Sequence, residues 1–260
     1  MPLKHLSSLI CLSCLICLGV CRTVAAEELI VSGAASLINA MAEIKTAFEN
    51  ANPQWQVFAN FAGSGQLLQQ IEAGAPVDVF VPADRETMDR AQKAGFIDEA
   101  SRVDFTGNDL MLVVPIDAVD INSLSDLANP RVGRVALGEP DAVPAGSYTK
   151  QVLVKAGLWQ QLEAKMVYGL SVKQALDYVA LGEVDAAFVY ATDARLASRK
   201  VRVVANMTGH NPIIYPVALL KSCVHQEAAR AFLTFLQSSA GQAIMRQCGF
   251  KQLDAAPNKN

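Results

Sequence analysis

Four short segments of this sequence set small and hydroxyl-bearing residues directly ahead of apolar, helix-spaced runs. They are Val31-Ser-Gly-Ala-Ala-Ser36, Phe61-Ala-Gly-Ser64-Gly65, Val143-Pro-Ala145-Gly-Ser147 and Ser171-Val172-Lys-Gln174. The first turn of a helix leaves backbone N–H groups without a carbonyl partner and carries a partial positive charge, so such turns suit an anion. Glycine and alanine let an ion approach the backbone, and the Ser36 and Ser64 hydroxyls add donors. Ser171 and Gln174 have the spacing of a capping box, with Val172 as the first helical residue. A serine ahead of a helix is most often only a cap, so one such turn means little. Four of them, each following a strand, point toward the crevice at the carboxyl ends of an α/β sheet. Tyr190 ends the apolar run 186–189; its phenol either reaches that crevice or is an ordinary rim aromatic.

Patterns for catalysis do not occur. G-x-S-x-G, H-E-x-x-H, the phosphate-binding G-x-x-x-x-G-K-[ST] and a strand-borne G-x-G-x-x-G are all missing. Gly63-Ser64-Gly65 has the look of a nucleophile turn, but its only available bases, His210 and His225, lie far along the chain. Asp78, Asp84, Asp177, Glu183 and Asp185 read as caps or solvated faces. With no Cys/His cluster, neither a metal nor a cofactor is expected, and the reading is not that of an enzyme.

The elements needed to hold these turns can be read from apolar spacing. Strands are expected at 28–31, 55–61, 77–81, 110–114, 132–137, 166–168, 186–190, 201–204 and 213–220. Helices are expected at 37–48, 67–71 with a stop at Gly74, from Asp84 onward, at 144–156, 172–181, 227–237 and 240–247. This alternation implies an α/β protein with parallel sheets covered on both faces. Two lobes fit better than one sheet: 27–107 plus 213–260, and an inserted lobe over 108–212. Hinges would then lie near Gly107-Asn108 and between Gly209 and Pro212.

The N-terminus decides the compartment. Lys4 and His5 precede an uncharged stretch, 6–21, followed by Arg22 and Thr23-Val24-Ala25-Ala26. A basic start, an apolar run too short to span a bilayer and small residues at 24 and 26 describe a secretory signal, 1–26, cleaved before Glu27. Leu18-Gly19-Val20-Cys21 leaves a lipid anchor at Cys21 as the alternative. Removing Lys4 and Arg22 from the 22 basic residues leaves 20 against 25 acidic ones, which excludes a nucleic-acid partner of the usual basic kind. Cys223 and Cys248 remain beyond the leader. In an oxidising compartment they read as a disulfide, with two separate buried thiols as the alternative.

Several stretches carry a family resemblance. Ala34-Ala-Ser-Leu-Ile-Asn-Ala-Met41, Phe61-Ala-Gly-Ser-Gly-Gln-Leu67, Gln70-Ile-Glu-Ala-Gly-Ala-Pro-Val-Asp-Val-Phe80 and Val143-Pro-Ala-Gly-Ser-Tyr148 resemble, in order, the periplasmic molybdate-binding proteins of ABC transporters. The stretch 181–193, Tyr215-Pro-Val-Ala218 and Cys248-Gly-Phe250 extend the likeness over nearly the whole chain beyond the leader. The resemblance implies a two-lobed periplasmic binding protein fold of type II, each lobe a mostly parallel sheet flanked by helices, with the ligand in the interlobe cleft. It implies Ser36, Ser64, Ala145, Val172 and Tyr190 as ligands of a molybdate or tungstate oxyanion. The partner would be a transporter permease, and the protein itself a periplasmic monomer. Gly63 and Gly65 stand where some relatives have serines, and the family does not require the two cysteines.

That implied site has a chemical logic. Molybdate at neutral pH has no proton, so a site made only of donors suits it; phosphate keeps a proton and needs an acceptor. None of the five positions is acidic or basic, so N–H groups and dipoles would hold the charge. The alternatives are another oxyanion such as sulfate, or a small-molecule lyase on the same fold, which would show an acid/base pair in the cleft.

Overall fold

The computed structural model describes residues 27–253. The leader, its cleavage site and Cys21 lie outside the described residues. Among the described residues no helix is long and apolar enough to cross a membrane.

The chain opens with β1 (Glu27–Ala34), a 3-10 turn (Ala35–Leu37), α1 (Ile38–Ala51), β2 (Trp55–Ala62), α2 (Ser64–Glu72), β3 (Val79–Val81) and α3 (Arg85–Lys93). It continues through β4 (Val103–Asn108), β5 (Leu110–Pro115), β6 (Val135–Gly138), α4 (Pro144–Lys155), α5 (Trp159–Leu162), β7 (Met166–Gly169), α6 (Val172–Ala180), β8 (Ala186–Tyr190) and α7 (Ala191–Leu196). β9 (Val201–Asn206), β10 (Ile213–Leu219), α8 (Gln226–Gln237) and α9 (Ser239–Gln247) complete it. α2 stops where expected: Gly74 takes φ of 87°, open to glycine without strain, and its N–H donates to Ile71 O at 3.0 Å.

The strands form two five-stranded sheets, ordered β2-β1-β3-β10-β4 and β7-β6-β8-β5-β9. Both are mostly parallel, as expected: four strands of each run one way and a single strand, β10 or β5, runs the other. β1 runs parallel to β2 and β3, and β6 parallel to β7 and β8, whereas β10 and β5 are antiparallel to both of their neighbours. The reason lies in the two crossings between sheets. Leu110 opens β5 opposite Tyr190, the last residue of β8, so the chain enters the second sheet at the carboxyl ends of its parallel strands and must run the other way. β10 does the same in the first sheet, pairing Ala218 with Phe80 and Leu219 with Val79.

Helices cover both faces. Phe48 of α1 stacks on Trp55 of β2 at 5.8 Å between ring centroids and meets Phe232 of α8 edge-on at 5.2 Å. On the opposite face of that sheet Leu67, Leu68, Met88, Ile97 and Phe80 form a separate apolar cluster. Each fully buried side chain of this size contributes on the order of 2 kcal/mol of hydrophobic stabilisation. These packed faces fix where the strand ends, and therefore the helix starts, sit.

Candidate functional site

Five of those strand-to-helix transitions converge. Ser36 lies in the turn after β1, Ser64 opens α2, Ala145 is the second residue of α4, Val172 opens α6, and Tyr190 ends β8. All five border one small cavity together with Ala34, Ala35, Ala62, Gly63, Ala83, Val143 and Pro144; its empty space is about 200 Å³. No lining residue carries a carboxylate, an amine, a guanidinium or an imidazole. A larger groove, with about 1560 Å³ of empty space, opens alongside between α3 and α4, but Asp84, Arg85, Glu86, Asp141 and Lys150 give it mixed charge. Uncharged donors converge only in the smaller space.

The hydroxyls are set up to donate. Ser64 is fully buried and its Oγ accepts the Ala83 N–H at 3.0 Å, leaving its proton for another acceptor. Ser36 Oγ lies 3.0 Å from Tyr215 Oη. Tyr190 is 1 % exposed, and its Oη has no partner among the described residues. A buried hydroxyl left unpaired costs about 1–3 kcal/mol, which a ligand oxygen would recover. Burial pushes its phenol well above the ordinary tyrosine value, so it keeps its proton.

Backbone donors complete the set. Pro144 occupies the first position of α4, where an N–H would be unpaired in any case, and Ala145 follows as the first available donor. Neither Ala145 nor Val172 has its N–H taken by a cap or loop carbonyl. Ser171 Oγ accepts the Gln174 N–H at 3.2 Å as the capping box requires, but Gln174 Oε1 reaches one residue further back, to the Leu170 N–H at 2.7 Å. Those two bonds brace the turn that carries Val172, which lines the cavity.

The two sheets' elements touch across the cleft, backbone to backbone. The Gly65 N–H donates to Ala142 O at 2.9 Å. A Cβ on Gly65 would stand 2.8 Å from that oxygen, and one on Gly63 would stand 2.7 Å from Leu170 O. Behind positions 172 and 190, Asp193 is fully buried with Lys173 Nζ 2.9 Å from its Oδ1; burial raises its carboxyl above the usual range although Lys173 opposes the shift. The contact is an ion pair whose angles are not those of a hydrogen bond.

The other expectations resolve as follows. Cys223 and Cys248 are free thiols, which corrects the disulfide. They sit in different surroundings: Cys223 is buried just after β10 beside Asp78, and Cys248 caps α9 with its Sγ 3.6 Å from Glu43 Oε1. Neither histidine stands beside Ser64. His210 lies against the Tyr148 ring, and His225 Nδ1 is 3.0 Å from Asp78 Oδ2. Asp84 caps α3 and spends both oxygens on Thr87. Asn108 and Tyr215, which stand beneath Ser36, were named from the sequence only as a hinge position and as part of a resembling stretch, not as site residues; a lone tyrosine within the apolar run of β10 was the available signal, since a buried phenol needs a partner.

Residues 29–251 match the family model described as bacterial extracellular solute-binding protein. The chain belongs to that family. Among its relatives, the molybdate-binding protein ModA of Escherichia coli is 38% identical over 233 residues, covering 86% of this chain and 88% of the relative. ModA of Haemophilus influenzae is 33% identical over 234 residues, covering 87% and 91%. The periplasmic molybdate-binding protein of Azotobacter vinelandii shares the fold of this solute-binding protein, with a TM-score of 0.79, 24% identity and coverage of 87% and 100%.

Proposed function

We propose that this solute-binding protein captures molybdate, and with it tungstate, between two lobes and hands it to the permease of an ABC importer. The lobes would be 27–107 plus 213–260 and 108–212, hinged where the chain crosses between the sheets. Ser36, Ser64, Ala145, Val172 and Tyr190 would be the ligands: three hydroxyl donors, and backbone N–H groups from helix starts. The observation that carries the reading is the absence of any carboxylate, imidazole or cation in the cavity lining, combined with a buried Tyr190 hydroxyl in need of an oxygen. A fully ionised tetrahedral dianion satisfies every donor there, whereas a protonated anion could place its hydrogen only by turning one of those hydroxyl donors into an acceptor. Size would then separate molybdate from the smaller sulfate, which cannot reach all donors at once, while tungstate, nearly the size of molybdate, would bind alongside it.

Both serine ligands and the neighbouring glycines come from one lobe, and Ala145, Val172 and Tyr190 from the other. Ligand would therefore favour the closed arrangement because only that form joins the two sets. A relative from Azotobacter vinelandii is named as a periplasmic protein, in keeping with an exported chain; we place this protein in the periplasm as a monomer, with the leader removed after Ala26 and no cofactor.

Calorimetric titration of the purified protein with molybdate, tungstate, sulfate and phosphate tests the proposal. Tight binding of the first two with weak sulfate and no phosphate is expected. Tight phosphate binding, or no response to molybdate, would sink it.

A further inference from the structure

Below the cavity runs a buried chain of hydrogen bonds with only one consistent direction. Asn108 ends β4 at the crossing between the sheets, and its Oδ1 accepts the N–H of Asp109 at 2.9 Å. That bond fixes the amide: turning it over would set two donors against each other. Its Nδ2 therefore faces Thr192 Oγ1 at 3.0 Å, in α7, and Tyr215 Oη at 3.3 Å, in β10. An amide nitrogen has no lone pair to offer, so the Tyr215 proton cannot go back to Asn108. Tyr215 is fully buried, and among the described residues its only other hydrogen-bond partner is Ser36 Oγ at 3.0 Å. The phenol must donate to Ser36, since any other arrangement strands its proton in an apolar interior against the Phe250 ring. Ser36 accepts that proton on one lone pair and cannot donate along the same line, so its own proton is free for the cavity.

We propose that Asn108 and Tyr215 are positioning residues that lock the Ser36 hydroxyl as a donor and thereby make the site reject protonated oxyanions. Ser64 is held in the same sense by the Ala83 N–H. The difference is that the Ser36 lock depends on side chains and can be removed. The relay also touches both sheets' elements, Tyr215 in the first and Thr192 beside the second, through an amide seated at the crossing. The inference rests on the oxyanion reading above but adds a determinant to it.

Two variants and one measurement on the unaltered protein test it. Tyr215→Phe removes the lock, so Ser36 can turn its lone pair to the ligand. Molybdate affinity is expected to fall about tenfold, and the preference for molybdate over phosphate to fall at least tenfold, because phosphate now finds an acceptor. The preference for molybdate over sulfate, which has no proton at neutral pH, should stay within about twofold. Asn108→Asp is near-isosteric and reverses the relay: the carboxylate accepts from Tyr215, which then accepts from Ser36. It should shift the phosphate preference in the same direction. If phosphate and sulfate preferences move together, or neither moves while melting temperature falls, the pair is merely structural and the proposal is overturned. Neutron diffraction of the deuterated wild type is independent of how the variants fold. A Tyr215 deuteron on the line to Ser36 Oγ supports the relay, and one pointing elsewhere refutes it. Failure of the wild type to bind molybdate in the same titrations would remove the ligand assignment, while the neutron result would still decide the relay.

Discussion

The Gly65 N–H and the Ala142 carbonyl meet at 2.9 Å, one from each side of the cleft. The contact has no room for a side chain, because a Cβ at Gly65 falls 2.8 Å from the oxygen and 2.9 Å from Ala142 Cα. Gly65→Ala should therefore leave the open protein intact and penalise closure. Alanine is even the better helix former within α2, by about 1 kcal/mol. We expect the ligand-free melting temperature to be unchanged or slightly higher and molybdate affinity to fall by about tenfold or more. Equal loss in both would show that the glycine serves the fold rather than closure.

Tyr190→Phe separates binding from stability in a similar way. The hydroxyl has no partner among the described residues, so its removal relieves a buried unpaired group and should not lower ligand-free stability. A hydrogen bond to a charged ligand oxygen contributes about 1.5–3 kcal/mol. The dissociation constant is thus expected to rise by roughly 10- to 100-fold at about 1.4 kcal/mol per decade. Calorimetry paired with thermal melting of the same sample checks both halves.

Asp84 gives a pH-dependent prediction. Burial raises its carboxyl above the ordinary value, and its bonds to Thr87 offset this only in part. A group with a raised folded value contributes stability that is complete below its unfolded value and is lost as pH rises through the folded one. Asp84→Asn keeps an acceptor for the Thr87 N–H and removes the buried charge. The variant should melt at or above the wild type at neutral pH, with the gap closing as the pH is lowered toward the acid range. A variant that melts lower at neutral pH, by scanning calorimetry, would contradict this.

The free cysteines are open to chemical test. Burial, with Asp78 alongside, pushes the Cys223 thiol up to about 12, and burial likewise raises Cys248 near Glu43. Both are therefore mostly protonated and slow to react at pH 8. In native protein lacking the leader, a thiol reagent should label neither quickly; after unfolding without reductant it should label two. A count of zero after unfolding would restore the disulfide.

Most helices and strands were legible because burial imposes its period on the residues. Leu37, Met41, Ile44 and Phe48 had to recur on one face of α1, and all four are buried there. β4 escaped notice because Val103-Asp-Phe-Thr-Gly-Asn108 is short, polar and interrupted by glycine; its pairing with β10 makes it a strand, not its own composition. The mostly parallel sheets were legible from the strand–helix alternation, but which strand of each is reversed was not, since periodicity is the same whichever way a strand runs. At the site, Ser36, Ser64, Ala145 and Val172 announced themselves through turn chemistry next to them in sequence. Tyr215 touches Ser36 across 179 positions, and no local signal encodes such a contact. The cysteines failed for the same reason: composition fixes their number, not their separation.

The paired antiparallel strands have a consequence for how this molecule comes into being. β10 sits between β3 and β4 in the first sheet, yet it is made only after all of β5 to β9. Until then Val79 and Phe80 lack the neighbours that Leu219 and Ala218 supply. The N-terminal third is thus an unfinished surface while the polypeptide emerges, and the segment from β5 to β9 is the portion contiguous enough to assemble first. Pulsed amide exchange during refolding should find protection in β5, β6 and β8 before it appears in β1 and β3, and the reverse sequence would rule this out.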